Sequence, residues 1–245
     1  MFGIDFLNTS NTMLSILIAN KNYNLSYIEA LGTISGFLCV WLASKEKNIN
    51  YFFGLINVTC FAVIFFQIQL YASLLLHIFF FITNIYGWYA WSKVSTVDKK
   101  KNLKIRWMSF NKKILVLLIT IITTILLRFN IDKTFIFLSN LTIKILYLFD
   151  IFLKPIQIKP DKFPFLDSII TILSIIAMIL MTRKYVENWL LWIIINILSI
   201  FLFYFQDMLA ITLEYLILLV LSIYGFYYWR QLALKNVIFQ KRSKF

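Results

Sequence analysis

The sequence predicts an all-α integral membrane protein with seven transmembrane helices, arranged as two parallel three-helix repeats joined by a linker helix. Three observations predict it. Of 245 residues, 61% are hydrophobic and the mean hydropathy is +0.81, more apolar surface than a soluble domain of this size can hide. Apolar stretches of 17–22 residues recur along the chain, each long enough to cross a hydrocarbon core of about 30 Å at about 1.5 Å per residue. Finally, the chain repeats itself: Tyr86-Gly87-Trp88-Tyr89-Ala90-Trp91 returns 138 residues later as Tyr224-Gly225-Phe226-Tyr227-Tyr228-Trp229. The same offset pairs Glu29 with Asp167, Ser44-Lys45 with Thr182-Arg183, Asn50-Tyr51 with Asn188-Trp189, and Ala72 with Ala210.

The elements follow in order. Residues 1–25 are mixed in character and read as a surface helix. The first repeat covers 26–91, with spans near 26–44, 50–68 and 70–91. Ser26-Tyr27-Ile28-Glu29 opens it as a capping box, whose Glu also favours the positive end of the helix dipole. Gly32 and Gly36 form a Gly-x-x-x-Gly, the mark of a close helix contact. The turn around Ile68-Gln69 is so short that its flanking helices must be antiparallel neighbours. Residues 92–165 hold a basic loop, a linker helix at 113–129 and then a weaker segment. That segment is apolar from Phe135 to Leu153 but interrupted by Asn140, Lys144 and Asp150, and it reads as an external amphipathic element rather than an eighth span. The second repeat, 166–229, has spans near 166–182, 189–206 and 208–229, with a tight turn at Gln206-Asp207. A basic tail, 230–245, closes the chain.

Charge orients these spans. The net charge is +13, but the basic residues sit between the apolar segments, a pattern that points to a lipid bilayer and away from nucleic acid. With the N-terminus outside, the inner loops hold Lys45 and Lys47, eight basic residues from Lys93 to Lys113, Arg183 and Lys184, and five from Arg230 on, which is 17 of the 24 Lys and Arg. The excess places the C-terminus inside. An odd number of linker spans gives both repeats the same orientation, related by an axis along the membrane normal, as in SWEET-type transporters. The N-terminus has no basic n-region or cleavage site, so no signal peptide is read.

Enzyme chemistry is not expected. No nucleophile has a paired base, no His/Cys/Asp set has ligand spacing and no glycine loop could cradle a phosphate, so neither a metal nor a cofactor is expected. Cys39 and Cys60 lie within apolar spans without redox or metal spacing. What the spans do carry is polar and aromatic faces. The third aligns Ser73, His77, Asn84, Trp88 and Trp91; the sixth aligns Trp189, Trp192, Asn196, Ser199, Phe203 and Gln206. The second aligns Asn50, Gly54, Asn57 and Phe61, and the seventh Tyr215, Ser222, Phe226 and Trp229. Amides deep in hydrocarbon are costly unless they pair or face a cavity. A passage lined by amides and aromatic rings suits a flat, hydrogen-bonding ligand that is uncharged or cationic.

Blander roles compete with that one. Trp91, Trp189 and Trp229 could belong to an interfacial belt, although the five Trp of the repeat motifs gather on the inner side whereas a belt marks both. Asn57 and Asn196 could bond helix to helix. His77, the only histidine, could be a satisfied interior group. Glu214 lies inside the seventh span, where an acid needs a reason: a counter-charge, a proton site or a helix-to-helix bond.

At this point the sequence resembles the PnuC family of bacterial vitamin transporters. The resemblance covers nearly the whole chain and rests on Asn50-Tyr51-Phe52-Phe53-Gly54-Leu55-Ile56-Asn57, Leu70-Tyr71-Ala72 and Tyr86-Gly87-Trp88 with Trp91. The second-half counterpart is Arg183-Lys184-Tyr185-Val186-Glu187-Asn188-Trp189 to Trp192. The family commonly has an acid after Leu-Tyr-Ala and a later Gln, where this chain has Ser73 and His77. The resemblance implies a three-plus-one-plus-three fold in the bacterial inner membrane. It also implies uptake of nicotinamide riboside, an NAD precursor, by facilitated diffusion. Alternating access between the repeats would move the riboside, and a cytoplasmic riboside kinase would trap it. The expected substrate contacts are Asn57, His77, Asn84, Trp88, Trp91, Trp189, Trp192, Asn196, Glu214 and Tyr215. Transport of another vitamin such as thiamine, a substrate-binding subunit served by a separate ATP-driven module, and an ion-coupled symporter using Glu214 are the alternatives. A homo-oligomer stays open.

Overall fold

A computed structural model describes residues 7–18, 21–68, 71–93, 103–148, 163–205 and 208–242. Seven helices carry the fold: α1 (Tyr27–Ser44), α2 (Asn50–Gln67), α3 (Tyr71–Ser92), α4 (Phe110–Tyr147), α5 (Pro164–Thr182), α6 (Glu187–Phe205) and α7 (Leu209–Arg242). Each contains a stretch long and apolar enough to cross a membrane, seven among the described residues. The turn residues Gln69, Gln206 and Asp207 and the loop 94–102 lie outside the described residues.

The N-terminal segment departs from expectation. Thr12–Ile18 (β1) and Lys21–Ser26 (β2) pair antiparallel, so a hairpin stands where a surface helix was expected. A seven-residue apolar run is ambiguous between strand and helix, and β-branched residues such as Thr12 and Ile16 favour the strand. The hairpin leads directly into α1, where Ser26 Oγ accepts the Glu29 N–H at 3.3 Å as the N-cap. The Glu29 carboxylate accepts the Tyr23 hydroxyl. Burial and that carboxylate push the Tyr23 phenol above the ordinary tyrosine range.

Helices α1, α2 and α3 pack in sequence as one triple, and α5, α6 and α7 as another. The triples meet reciprocally, α1 against α7 and α3 against α5. The first triple closes tightly at its glycines. A Cβ on Gly36 would stand 2.7 Å from Asn57 Nδ2, and one on Gly32 would stand 3.1 Å from Cys60 Cβ. Helix α4 touches α3 and α5 from the side and leaves Leu117, Leu118, Ile121, Ile122 and Leu126 exposed, the surface a lipid-facing helix presents.

Two helices overrun their expected ends. Helix α4 bends at Asn130 (φ −126°, ψ 15°) and continues to Tyr147, so the described part of the expected amphipathic element is a helix continuous with the linker. The Asn130 amide donates to Leu126 O at 3.0 Å, a side chain competing with the helix for its carbonyl. Residues 149–162 lie outside the described residues. Helix α7 runs to Arg242, through the segment read as a tail. No Gly or Pro stops it there, and Asn236 Nδ2 donates to Ile105 O at 3.1 Å.

Candidate functional site

The largest buried cluster lies at the end of the bundle that carries the basic loops. It joins the last turns of α1, α3 and α5, the first turns of α2 and α6, and the middle of α7. Tyr51 and Trp229 are 0% exposed, Trp189 1% and Trp91 7%. Trp229 sits between the other two indoles, 5.8 Å from Trp91 and 5.7 Å from Trp189, and Tyr51 meets Trp91 edge-on at 5.0 Å. Gly87 and Gly225 make room: a Cβ on Gly225 would fall 2.6 Å from the Trp189 ring, and one on Gly87 would land on the Tyr51 ring. The Tyr51 hydroxyl and Trp189 Nε1 have no hydrogen-bond partner among the described residues.

Local geometry recurs at the spacing of the sequence repeat. Asn50 Nδ2 donates to Lys47 O and Asn188 Nδ2 to Tyr185 O; Ser44 Oγ donates to Trp41 O and Thr182 Oγ1 to Ile179 O. Glu46 (φ 58°) and Lys184 (φ 55°) adopt the same left-handed turn after their helices. Phe65 lies 4.8 Å from His77, and Phe203 lies 5.3 Å from Tyr215. Trp91 Nε1 donates to Thr182 O at 3.2 Å, while Trp229 Nε1 donates to Ala43 O at 3.1 Å.

Next along the helices from this aromatic floor comes a layer of amides. Asn84, on α3, donates to Phe80 O at 2.8 Å, and its Oδ1 occupies the space where a Gly54 Cβ would go. Asn57, on α2, donates to Gly32 O at 2.9 Å and so ties α2 to α1. In the other triple, Asn196 donates to Ser222 Oγ at 3.1 Å, joining α6 to α7 within the buried interior. Trp88 and Trp192 are half-buried against the aromatic floor. Trp192 also touches the smaller cluster of Leu173, Ala177 and Ile195.

Farther from the floor, His77 Nδ1 lies 2.9 Å from Ser73 O, and its ring packs among Phe61, Phe65 and Phe80. It also edges an apolar groove of about 380 Å³ between α2 and α3 that none of the other expected contacts lines. Tyr215 stacks on Phe203 at 5.3 Å between ring centroids. Glu214 is half-buried in the second turn of α7, at the same end of the bundle as Glu29 in the first turn of α1.

The expected contacts thus divide. Trp88, Trp91, Trp189 and Trp192 share one cluster. Asn57, Asn84 and His77 belong to the first triple; Asn196, Glu214 and Tyr215 belong to the second. Tyr51 and Ser222, buried beside these residues, were not among the expected contacts. Tyr51 was legible as the repeat mate of Trp189, and Ser222 as that of Asn84.

A strap of the basic loop covers the floor. Arg106 N donates to Lys184 O and Val186 N to Arg106 O, while Met108 N donates to the Glu187 carboxylate at 3.0 and 3.1 Å. Lys113 Nζ lies 2.9 Å from the same carboxylate. Arg106 sits over the Tyr185 ring at 4.7 Å, and its hydrogen bond, helped by Lys112, holds the phenol below the ordinary tyrosine range against the effect of burial. Among the described residues, no group of three or more His, Cys, Asp or Glu could hold a metal.

The profile of a family described as nicotinamide mononucleotide transporter matches residues 26–231. A nicotinamide riboside transporter PnuC of Escherichia coli K12 is 50% identical over 214 residues, covering 87% of this chain and 89% of that protein. One of Neisseria mucosa is 24% identical over 179 residues, 71% of this chain and 59% of that one. A crystal structure of the vitamin B3 transporter PnuC superposes with a TM-score of 0.60 at 25% identity, covering 85% of this chain and 83% of that one.

Proposed function

The chain belongs to the nicotinamide mononucleotide transporter family, and from that premise we propose that it carries nicotinamide riboside across the bacterial inner membrane by facilitated diffusion. The observation that carries the reading is the identity to the E. coli riboside transporter over almost the full length of both proteins. The chemistry agrees with it. Nicotinamide riboside presents a pyridinium ring, a carboxamide and ribose hydroxyls. Indole faces attract the cationic ring. The amides of Asn57, Asn84 and Asn196 match the polar groups. Trp189 Nε1, buried with no hydrogen-bond partner among the described residues, is a donor that a ligand oxygen would satisfy. The Glu29 and Glu214 carboxyls lie near the starts of α1 and α7, on the opposite side of the amide layer from the floor.

The family's description names the mononucleotide, but the amide layer favours the riboside. A phosphate calls for Arg, Lys or a cluster of backbone N–H groups. Among the described residues, the Asn57, Asn84 and Asn196 layer includes no Arg or Lys, while Lys45, Arg183 and Lys184 stand at the floor end.

In this reading the two triples are parallel repeats, 26–91 and 166–229, that rock about the site, with α4 as the linker. The N-terminus faces out, the basic loops face the cytoplasm, and phosphorylation there by a riboside kinase makes uptake one-way. Titrating purified protein with riboside should quench its tryptophan fluorescence saturably, with thiamine and the mononucleotide competing at least about tenfold more weakly, a difference of about 1.4 kcal/mol. Equal or stronger binding of thiamine would reassign the substrate.

A further inference from the structure

We propose that Glu46 and Lys184, with Trp91 and Trp229, form the gate on the basic-loop side, and that opening this gate breaks their contacts across a pseudo-twofold axis. The proposal rests on the transporter reading and adds which contacts must part.

The contacts between the triples come in mated sets. Trp91 donates to the end of α5, and Trp229 to the end of α1. Lys45 lies 4.8 Å over the Tyr224 ring, and Arg183 lies 5.2 Å over the Tyr86 ring. In each set, shifting both residues of one contact by the repeat offset, allowing one residue at the carbonyl, gives the other contact. Such reciprocity is what a two-fold relation between like surfaces produces. Two contacts instead join a residue to its own mate: Lys184 Nζ to Glu46 Oε1 at 2.6 Å, 138 residues apart, and Trp91 to Trp229 at 5.8 Å. A residue can touch its own mate only where the axis passes. The axis therefore runs through the ion pair and the indole pair at this end.

The two on-axis pairs do different work. The indoles are buried and exclude water. The ion pair is asymmetric: Lys184 is 9% and Glu46 31% exposed at the side chain, and the Lys184 ammonium also lies 4.6 Å from the Trp91 ring. Identical residues at an axis would set like charges face to face. Opposite charges hold this end shut, and they favour a partner in the same chain over a second copy of either triple. A half-buried pair with cation–π support is stronger than an exposed one. It can also be broken without uncovering an isolated charge in hydrocarbon, because it sits at the end of the helices next to the basic loops.

The test uses the full chain in inside-out vesicles, with Ser222→Cys as reporter and a membrane-impermeant maleimide as probe. Labelling is counted above that of the parent with native Cys39 and Cys60. Glu46→Lys or Lys184→Glu, each placing like charges on the axis, should raise labelling at least fivefold. The swapped double variant Glu46→Lys with Lys184→Glu should return it to the parent rate, which a merely misfolded protein would not do. Unchanged labelling in the single variants, or no restoration by the swap, would overturn the gate. Labelling needs no substrate, so failure of the riboside reading would appear separately, as absent riboside uptake by the unsubstituted chain.

Discussion

Gly225→Ala is expected to remove most of the folded protein, cutting recovery of monodisperse material several-fold and lowering the melting temperature of what remains. The added Cβ would stand 2.6–2.7 Å from three atoms of the Trp189 indole. That ring cannot retreat, because it is 1% exposed and wedged edge-on against Trp229 at 5.7 Å. Overpacking of this kind costs about 1–3 kcal/mol or more, a large part of a typical net stability of about 5–15 kcal/mol. The same clash awaits Gly87→Ala against Tyr51, its counterpart in the first triple. Trp189→Leu in the Gly225→Ala background should recover folding, though not transport. Parent-like recovery and melting of Gly225→Ala would mean that the helices are not packed as described.

Asn196→Ala and Trp192→Ala should each lower saturable riboside uptake by about 100-fold or more while the protein still inserts. Asn196 is buried and donates to Ser222, so truncation removes a polar group from the centre of the second triple and leaves the Ser222 hydroxyl without that donor. A lost hydrogen bond that strands its partner costs about 1–3 kcal/mol, and under the proposed function the loss of a substrate contact adds to it. Trp192 lies where the aromatic floor meets the smaller cluster, and alanine there would remove an indole face that can hold a pyridinium ring. Asn57→Ala makes a useful contrast. Its amide already donates to Gly32 O, so its loss should loosen the α1–α2 contact and reduce protein yield along with uptake. Normal uptake by both Asn196→Ala and Trp192→Ala would remove these residues from the site.

Much of the fold was legible because bilayer physics writes long, plain signals. Seven apolar stretches marked seven helices to within a few residues at most ends. The Gly32 and Gly36 spacing pointed to a close helix contact, which α2 supplies, and Ser26 capped α1 as read. The misreadings came where the signal is local. The run Thr12–Ile18 carries no period that separates strand from helix, and only pairing with Lys21–Ser26 decides it. The end of α4 depends on a bend at Asn130 that leaves the helix unbroken, and α7 continues because nothing in the sequence stops it.

The residues of the candidate site were legible as helix faces, but their contacts were not. Periodicity found the amides and indoles. It could not tell that Asn57 and Asn196 each use their amide nitrogen between helices, or that His77 is enclosed by phenylalanines. Glu46 and Lys184 were hidden for a different reason: they sit among the charges of the loops between spans, and their opposite signs carry meaning only once the repeat is laid over itself.

The central claim is tested most directly by uptake of labelled nicotinamide riboside into liposomes that hold only this chain, with no ion gradient imposed. The account predicts saturable entry, blocked by unlabelled riboside and not by thiamine, and indifferent to added proton or sodium gradients. No entry despite confirmed insertion, or entry only with an imposed gradient or an ATP-hydrolysing partner, would contradict it.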